Sequence, residues 1–369
     1  MAKLIRSKRL FAILTVLVMV LAACGSASTE STAAGTAQEL DALTVVATTT
    51  IWGDIVSNVT GDAANLEVLY PVGADPHDHE LSSSQVALMQ EADLVVVNGL
   101  LLEEGILDVI EGLESDGVNV LEVAPALDPI LFGASSHADH EEETVSTGQC
   151  DPNVSHEVAG DHEEGEGDGE EEEGEHEEEE GEHEEEDGDA HGEGSCDPHV
   201  WMDPLRIAAA VELIAEELAE LDPTVDWIAN ASAYADELRS LDAEIISTLD
   251  GIAEGARKLV TNHEALGYFA DRYDFEVVGA VIPSGSTLAD PSSAELAELV
   301  ETMTHEGIDV IFAENIEPSV LADAVAAEVG EDVEVVTLFT DSLGGPGSGG
   351  ETYVDMLRFN ANLVATALS

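Results

Sequence analysis

Short runs of β-branched and aliphatic residues alternate with helical patterns along most of the chain after residue 43. These runs are continuously apolar rather than strictly alternating, which is typical of buried parallel strands. The predicted strands are 43–48, 66–70, 93–98 and 118–123, followed by a second set at 258–261, 275–281, 309–314 and 333–339. Helical patterns between them, such as 83–92, 293–305 and 319–329, predict an α/β fold with two lobes.

Two longer helical patterns separate the two sets of strands. The first covers 204–221, and the second covers 224–252 after the Asp222-Pro223 break. At about 1.5 Å per residue the second would run roughly 40 Å, long enough to cross the back of both lobes. We therefore predict an N-terminal lobe over 41–205, helices including a rigid interlobe connector over 206–255, and a C-terminal lobe over 256–369.

The N-terminus has the order of an export signal. Basic residues up to Arg9 precede an apolar run that is too short to span a bilayer, which predicts a signal peptide over 1–23. The ending Leu-Ala-Ala-Cys is similar to a bacterial lipobox and predicts lipidation of Cys24, with 24–40 as a flexible tether. An ordinary signal peptide with an incidental cysteine is the alternative. This lipobox predicts a protein outside the cytoplasm. It would be either anchored by lipid to the outer face of the cytoplasmic membrane or periplasmic.

Charge excludes one class of function. The 369 residues carry 80 Asp+Glu against 10 Lys+Arg, a formal net charge of −70. Such a chain offers no basic surface for nucleic acid. Part of the imbalance comes from the segment 135–195, which is rich in Glu, Gly, Asp and His and has too little apolar surface to fold. We predict an acidic, His-rich disordered loop there.

Two cysteines remain besides Cys24. Cys150 and Cys196 flank the most acidic part of this loop, and an even pair in an exported protein is most simply a disulfide. A zinc-thiolate pair is the alternative, although no CxxC spacing supports it.

Four residues follow predicted strands and could bind a metal. His77 and His199 share the tripeptide Asp-Pro-His, His263 follows strand 258–261, and Asp341 follows strand 333–339. Open α/β sheets bind ligands at the carboxyl ends of their strands, so two potential ligands come from each lobe. A histidine at a strand end can equally be a hydrogen-bonded structural residue, so spacing alone does not decide the matter.

Four segments together resemble a known family, the zinc-uptake branch of the metal-specific solute-binding lipoproteins of ABC transporters. The resemblance rests on VGADPHDHE at 72–80, DPHVWMDP at 197–204, TNHEALGYFA at 261–270 and FTDSL at 339–343. It implies Zn²⁺ bound in an interlobe cleft by His77, His199, His263 and Asp341. It also implies delivery to a membrane permease with a cytoplasmic ATPase, membrane attachment through Cys24, a monomer and no enzymatic activity.

Three imidazoles and one carboxylate suit tetrahedral zinc, whereas manganese prefers more oxygen ligands. In the manganese branch of the family the third ligand is typically a carboxylate, and here it is His263. A manganese- or iron-binding member of the same family and a metal-buffering or adhesion lipoprotein remain alternatives. A zinc hydrolase would keep water as its fourth ligand in place of Asp341.

Three further features of the sequence could compete with this site. His79 lies two residues from His77 and is a rival ligand, although only His77 has the repeated Asp-Pro context. Residues 345–350 fit GxGxxG, but the chain ends too soon for a dinucleotide fold, so we expect a flexible loop there. Seven of the 12 histidines lie in 135–195. These histidines either capture zinc or are simply solvated, and the sequence favours neither alternative.

Overall fold

A computed structural model describes residues 42–132, residue 150 and residues 195–369. The predicted signal peptide, the lipidation of Cys24, the tether over 24–40 and most of the acidic segment 135–195 lie outside the described residues. The described part belongs to one compact unit that starts at Ala42.

The first lobe is a four-stranded parallel sheet with strand order β2-β1-β3-β4. Its strands are β1 Leu43–Ala47, β2 Ala64–Val68, β3 Leu94–Val97 and β4 Val120–Glu122. Its helices are α1 Thr50–Thr60, α2 Ser83–Glu91 and α3 Leu107–Asp116. Strand β3 is buried at every position, as its unbroken apolar run predicts.

The second lobe repeats this topology with strand order β6-β5-β7-β8, again all parallel. Its strands are β5 Lys258–Thr261, β6 Glu276–Ala280, β7 Val310–Glu314 and β8 Glu334–Leu338. Its helices are α6 Gly267–Tyr273, α7 Ser293–Glu306, α8 Val320–Val329 and α9 Tyr353–Ala367. All eight predicted strands are confirmed, with ends that differ by at most two residues.

Two long helices, α4 Pro204–Leu221 and α5 Trp227–Leu249, connect the lobes. Helix α4 matches its prediction, whereas α5 starts three residues later than predicted because the Asp226 side chain caps it by accepting from the Ala229 backbone N–H. Its 23 residues span about 35 Å. Helix α5 packs on α4 and contacts both α1 and α9, so it touches both lobes as predicted.

The buried hydrophobic residues form one core shared by both lobes and one smaller core in each lobe. One large core combines residues of both sheets with α4, α5 and α9, and it contains the buried side chains of Trp52, Trp201, Trp227 and Tyr353. Each sheet also packs a smaller core on its other face, against α2 and α3 in the first lobe and against α7 and α8 in the second. The shared core therefore ties the lobes together on the side of the connecting helices.

The predicted disulfide is present between Cys150 and Cys196, whose Cα atoms are 5.4 Å apart. Cys196 also forms an isolated antiparallel bridge with Leu131, and the Phe132 backbone N–H donates to the Ser195 carbonyl at 3.1 Å. Residues 131–132 and 195–196 thus lie side by side. No helix within the described ranges has the length and apolar character that a membrane crossing requires.

Candidate metal centre

The four predicted ligands converge from both lobes. One potential ligand atom from each of His77, His199, His263 and Asp341 lies within 4.8 Å of the others, and all four residues are buried. His263 Nε2 is 3.2 Å from His199 Nε2 and 3.4 Å from one Asp341 carboxylate oxygen, and His199 Nε2 is 3.9 Å from the other. The described residues therefore bring three imidazoles and one carboxylate to a common point.

The repeated Asp-Pro-His tripeptide has the same local structure in both places. The Asp75 carboxylate accepts the His77 backbone N–H at 2.9 Å, and the Asp197 carboxylate accepts the His199 backbone N–H at 2.9 Å. An aspartate commonly accepts from the backbone two residues on, and the intervening proline fixes φ. The tripeptide thus fixes the backbone of each histidine in the same way.

Each imidazole also has a carboxylate partner at its other ring nitrogen. Nδ1 of His199 lies 2.7 Å from Asp197, Nδ1 of His263 lies 2.6 Å from Glu314, and Nδ1 of His77 lies 3.2 Å from Glu104. Such pairs fix the tautomer and orientation of metal-ligating histidines and raise their basicity. For His199 and His263 the pairing leaves Nε2 directed at the cluster, where the short distances are found.

The spacing of these atoms suits a tetrahedral cation. With metal–ligand distances of about 2.0 to 2.1 Å, neighbouring donors in a tetrahedral site are roughly 3.3 Å apart. The observed separations among His199, His263 and Asp341 are 3.2, 3.4 and 3.9 Å, close to this value, and the atom that His77 offers lies within 4.8 Å of the others. Neither Asp341 oxygen accepts a hydrogen bond from the described residues although both are buried. A buried carboxylate in that state is suited to a cation.

Electrostatics also favours a cation at this point. Burial lowers the pKa of His263, but the charges of Glu314 and Asp341 outweigh burial and raise that pKa to about 10. Burial raises the pKa of Asp341 well above its ordinary value. The cluster without a cation therefore holds protons tightly at neutral pH, and a binding cation must displace them.

Two other features that the sequence suggested as binding sites, His79 and the 345–350 loop, are not part of the cluster. The His79 ring packs against Tyr70 in a tilted arrangement with ring centroids 4.4 Å apart, and His79 is not among the four converging residues, which favours His77. In the 345–350 loop, the Glu351 carboxylate accepts the backbone N–H groups of Gly347 and Gly349. Those amides are the groups that a dinucleotide phosphate would need, so the structure gives no support to a dinucleotide site.

Sequence reasoning missed Glu314 and Glu104. Glu314 is the last residue of β7, so it obeys the same rule that pointed to His263 and Asp341, a polar residue at the carboxyl end of a buried strand. Glu104 lies in a short 3₁₀ turn after β3 and carries no such signal. Trp201 belongs to the DPHVWMDP segment, but the sequence predicted no role for it. Its Nε1 donates to the Thr340 carbonyl at 2.8 Å, next to Asp341. This hydrogen bond links the His199 segment of the first lobe to the Asp341 segment of the second.

Comparison with known proteins places the chain in a family. The family described as zinc-uptake complex component A periplasmic matches residues 45–367. The manganese-binding lipoprotein MntA of Halalkalibacterium halodurans is 26% identical over 359 residues, which cover 97% of each chain. The zinc-binding lipoprotein AdcA of Streptococcus pneumoniae R6 is 28% identical over 310 residues, which cover 83% of this chain and 52% of that one.

A solved structure agrees with the fold. The periplasmic zinc-binding protein TroA from Treponema pallidum superposes with a TM-score of 0.66 at 26% identity, covering 89% of this chain and 99% of that one. The family match over residues 45–367 includes both parallel-sheet lobes and the helices between them. The chain therefore belongs to the zinc-uptake complex component A family of metal-binding ABC transporter solute-binding proteins, which are receptors and not enzymes.

Proposed function

We propose that this protein captures Zn²⁺ between its two lobes and delivers it to an ABC permease for import. The observation that carries the proposal is the donor set, three imidazole nitrogens and one carboxylate that all lie within 4.8 Å of one another. The ligands would be His77 and His199 from the first lobe and His263 and Asp341 from the second. Because each lobe supplies half of them, separation of the lobes would dismantle the site and release the metal.

Zinc is favoured over manganese by the chemistry of the donors. Carboxylate, carbonyl and water oxygens suit manganese, whereas imidazole suits zinc. The relatives do not decide between the metals, since MntA is named for manganese and AdcA for zinc. In the site described above, nitrogen outnumbers oxygen three to one.

Metal content tests the proposal directly. Protein lacking 151–194, purified without added metal from cells grown with both zinc and manganese, is expected to contain about one zinc per chain and little manganese. Exchange of His263 for glutamate is the matched variant, because it replaces an imidazole with a carboxylate and should raise the share of manganese. Wild-type protein that carries manganese instead of zinc would identify it as a manganese receptor.

Glu314 provides a second test, one that leaves all four ligands in place. Glu314→Gln keeps the size of the side chain but removes the charge that orients His263 and raises its basicity. We expect zinc affinity to fall by roughly 10- to 100-fold, measured by competition with a chelator. Glu328→Gln, on the exposed surface of α8, is the control and should bind like the wild type. Equal affinity for the two variants would show that Glu314 has no part in metal binding.

The cellular setting follows from the family and the N-terminal sequence. Curated relatives are named lipoproteins of ABC transporters, and the Leu-Ala-Ala-Cys ending at Cys24 is similar to a lipobox. We propose a monomer that is anchored by acylated Cys24 outside the cytoplasm and works with a membrane permease and its ATPase. The seven histidines within 135–195 could add zinc-binding capacity near the cleft.

A further inference from the structure

The loop at 284–287 after β6 contains no predicted ligand, yet it meets the first lobe beside the metal centre. Its sequence is Ser-Gly-Ser-Thr, and Ser284, Ser286 and Thr287 are all buried. On its own lobe it is connected to the His263 segment, because the Glu264 backbone N–H donates to the Ser284 carbonyl at 3.0 Å. The loop therefore lies between one ligand segment of the second lobe and the surface of the first lobe.

Two hydroxyl groups of this loop donate to carboxylates across the interlobe boundary. Ser286 Oγ donates to Glu104 Oε1 at 2.5 Å, and Thr287 Oγ1 donates to Asp75 Oδ2 at 2.5 Å. Both carboxylates also hold His77. Glu104 lies 3.2 Å from its Nδ1, and Asp75 accepts its backbone N–H at 2.9 Å. Each hydroxyl thus reaches the same ligand through a single carboxylate.

Close packing fixes the loop against Phe132, which precedes the acidic segment. Phe132 covers Gly285 so closely that a Cβ atom at that position would lie 1.7 Å from its ring. The same phenyl ring has its centroid 6.4 Å from that of His199. The loop consequently touches the surroundings of both ligands of the first lobe, and residue 285 has to be glycine for this approach.

We propose that Ser286 and Thr287 form an interlobe latch that positions His77 and slows the release of bound metal. This inference rests on the proposed metal-binding function. Both hydrogen bonds require closed lobes, and hydrogen bonds to charged groups are stronger than neutral ones. Separation of the lobes must break both bonds and, in the same movement, free the carboxylates that hold His77. The latch residues do not contact the metal and act only through Glu104 and Asp75.

Rates of zinc release test the latch. In the full-length protein loaded with one equivalent of zinc, Ser286→Ala and Thr287→Val should each speed release to an excess of chelator on the order of tenfold. Thr287→Ser restores the hydroxyl group and should release zinc at nearly the wild-type rate. The association rate should change little, since the open lobes do not make these bonds.

Matched controls are available in the same lobe. Ser319 Oγ donates to the Asp323 carboxylate at 3.0 Å and Thr304 Oγ1 donates to the Val300 carbonyl at 2.8 Å, both on the exposed surface and both within the second lobe. Ser319→Ala and Thr304→Val remove the same atoms without touching the interlobe boundary and should leave the release rate unchanged.

The outcomes separate the latch from the function on which it rests. Release by Ser286→Ala and Thr287→Val at the rate of the controls, with one zinc still bound per chain, would overturn the latch alone. Failure of the wild-type protein to bind zinc would overturn the proposed function itself. If Ser286→Ala does not fold, Thr287→Val and Thr287→Ser still test the latch. Fast release of zinc by both of these variants would show that the hydroxyl group of residue 287 does not slow release.

Discussion

Replacing His263 with alanine is expected to abolish tight zinc binding. His263 lies 3.2 Å from His199 and 3.4 Å from Asp341, and it is one of the two proposed ligands from the second lobe. Its loss leaves three donors, and it leaves Glu314 buried without the imidazole it pairs with. The affinity should fall by more than the roughly 10- to 100-fold expected for an outer partner such as Glu314.

The measurement is a competition titration against a chelator. It should be made both on the full chain and on a chain lacking 151–194, which keeps both cysteines but removes most histidines of the acidic segment. His305→Ala is the control, because His305 is exposed and pairs only with neighbouring Glu306 among the described residues. Wild-type affinity in His263→Ala without the acidic segment would contradict the ligand assignment.

The second large effect is expected from the disulfide. Cys150 and Cys196 are 46 residues apart, and in the chain-entropy view a crosslink closing a loop of this length lowers the free energy of the folded state relative to the unfolded one by about 4 kcal/mol. The double replacement Cys150→Ala/Cys196→Ala should therefore lose about that much unfolding free energy. Urea denaturation with linear extrapolation measures the difference.

Chemical reduction gives an internal check on this value. A reducing agent should bring the wild-type protein close to the stability of the double variant and should leave the double variant itself unchanged. If the variant and the oxidised wild type unfold at the same urea concentration, the crosslink does not stabilise the fold. Cys196 directly precedes Asp197, the partner of His199, so the same samples also show whether the crosslink supports metal affinity.

The fold could be predicted because its signals are local. An all-parallel sheet buries its strands on both faces, so continuous apolar runs such as β3 and β7 stand out from the helices between them. Two of the four proposed ligands could be predicted for a related reason, since His263 and Asp341 follow β5 and β8 within three residues and so lie at the ligand-binding edge of their sheet. The other two, His77 and His199, could be predicted from their repeated Asp-Pro-His tripeptide. The predicted helix 224–252 began three residues too early because Asp226 forms an N-cap that hydrophobic periodicity does not register.

The outer parts of the site could not be predicted in the same way. Ser286 and Thr287 meet their partners only across the two lobes, at sequence separations of 182 residues for Glu104–Ser286 and 212 for Asp75–Thr287. Glu104 meets His77 within the first lobe, but 27 residues away in sequence. No periodicity or local motif encodes such a pairing. Glu314 is the exception, because its place at the end of β7 would have satisfied the rule that identified the ligands.

X-ray absorption at the zinc edge tests the central claim most directly. Protein loaded with one equivalent of zinc is expected to show a four-coordinate ion with nitrogen and oxygen donors at about 2.0 to 2.2 Å and the outer-shell scattering of three imidazoles. That pattern should lose one imidazole in His263→Ala and be unchanged in His305→Ala. A five- or six-coordinate ion dominated by water oxygens, with fewer than three imidazoles, would contradict a closed site built from both lobes.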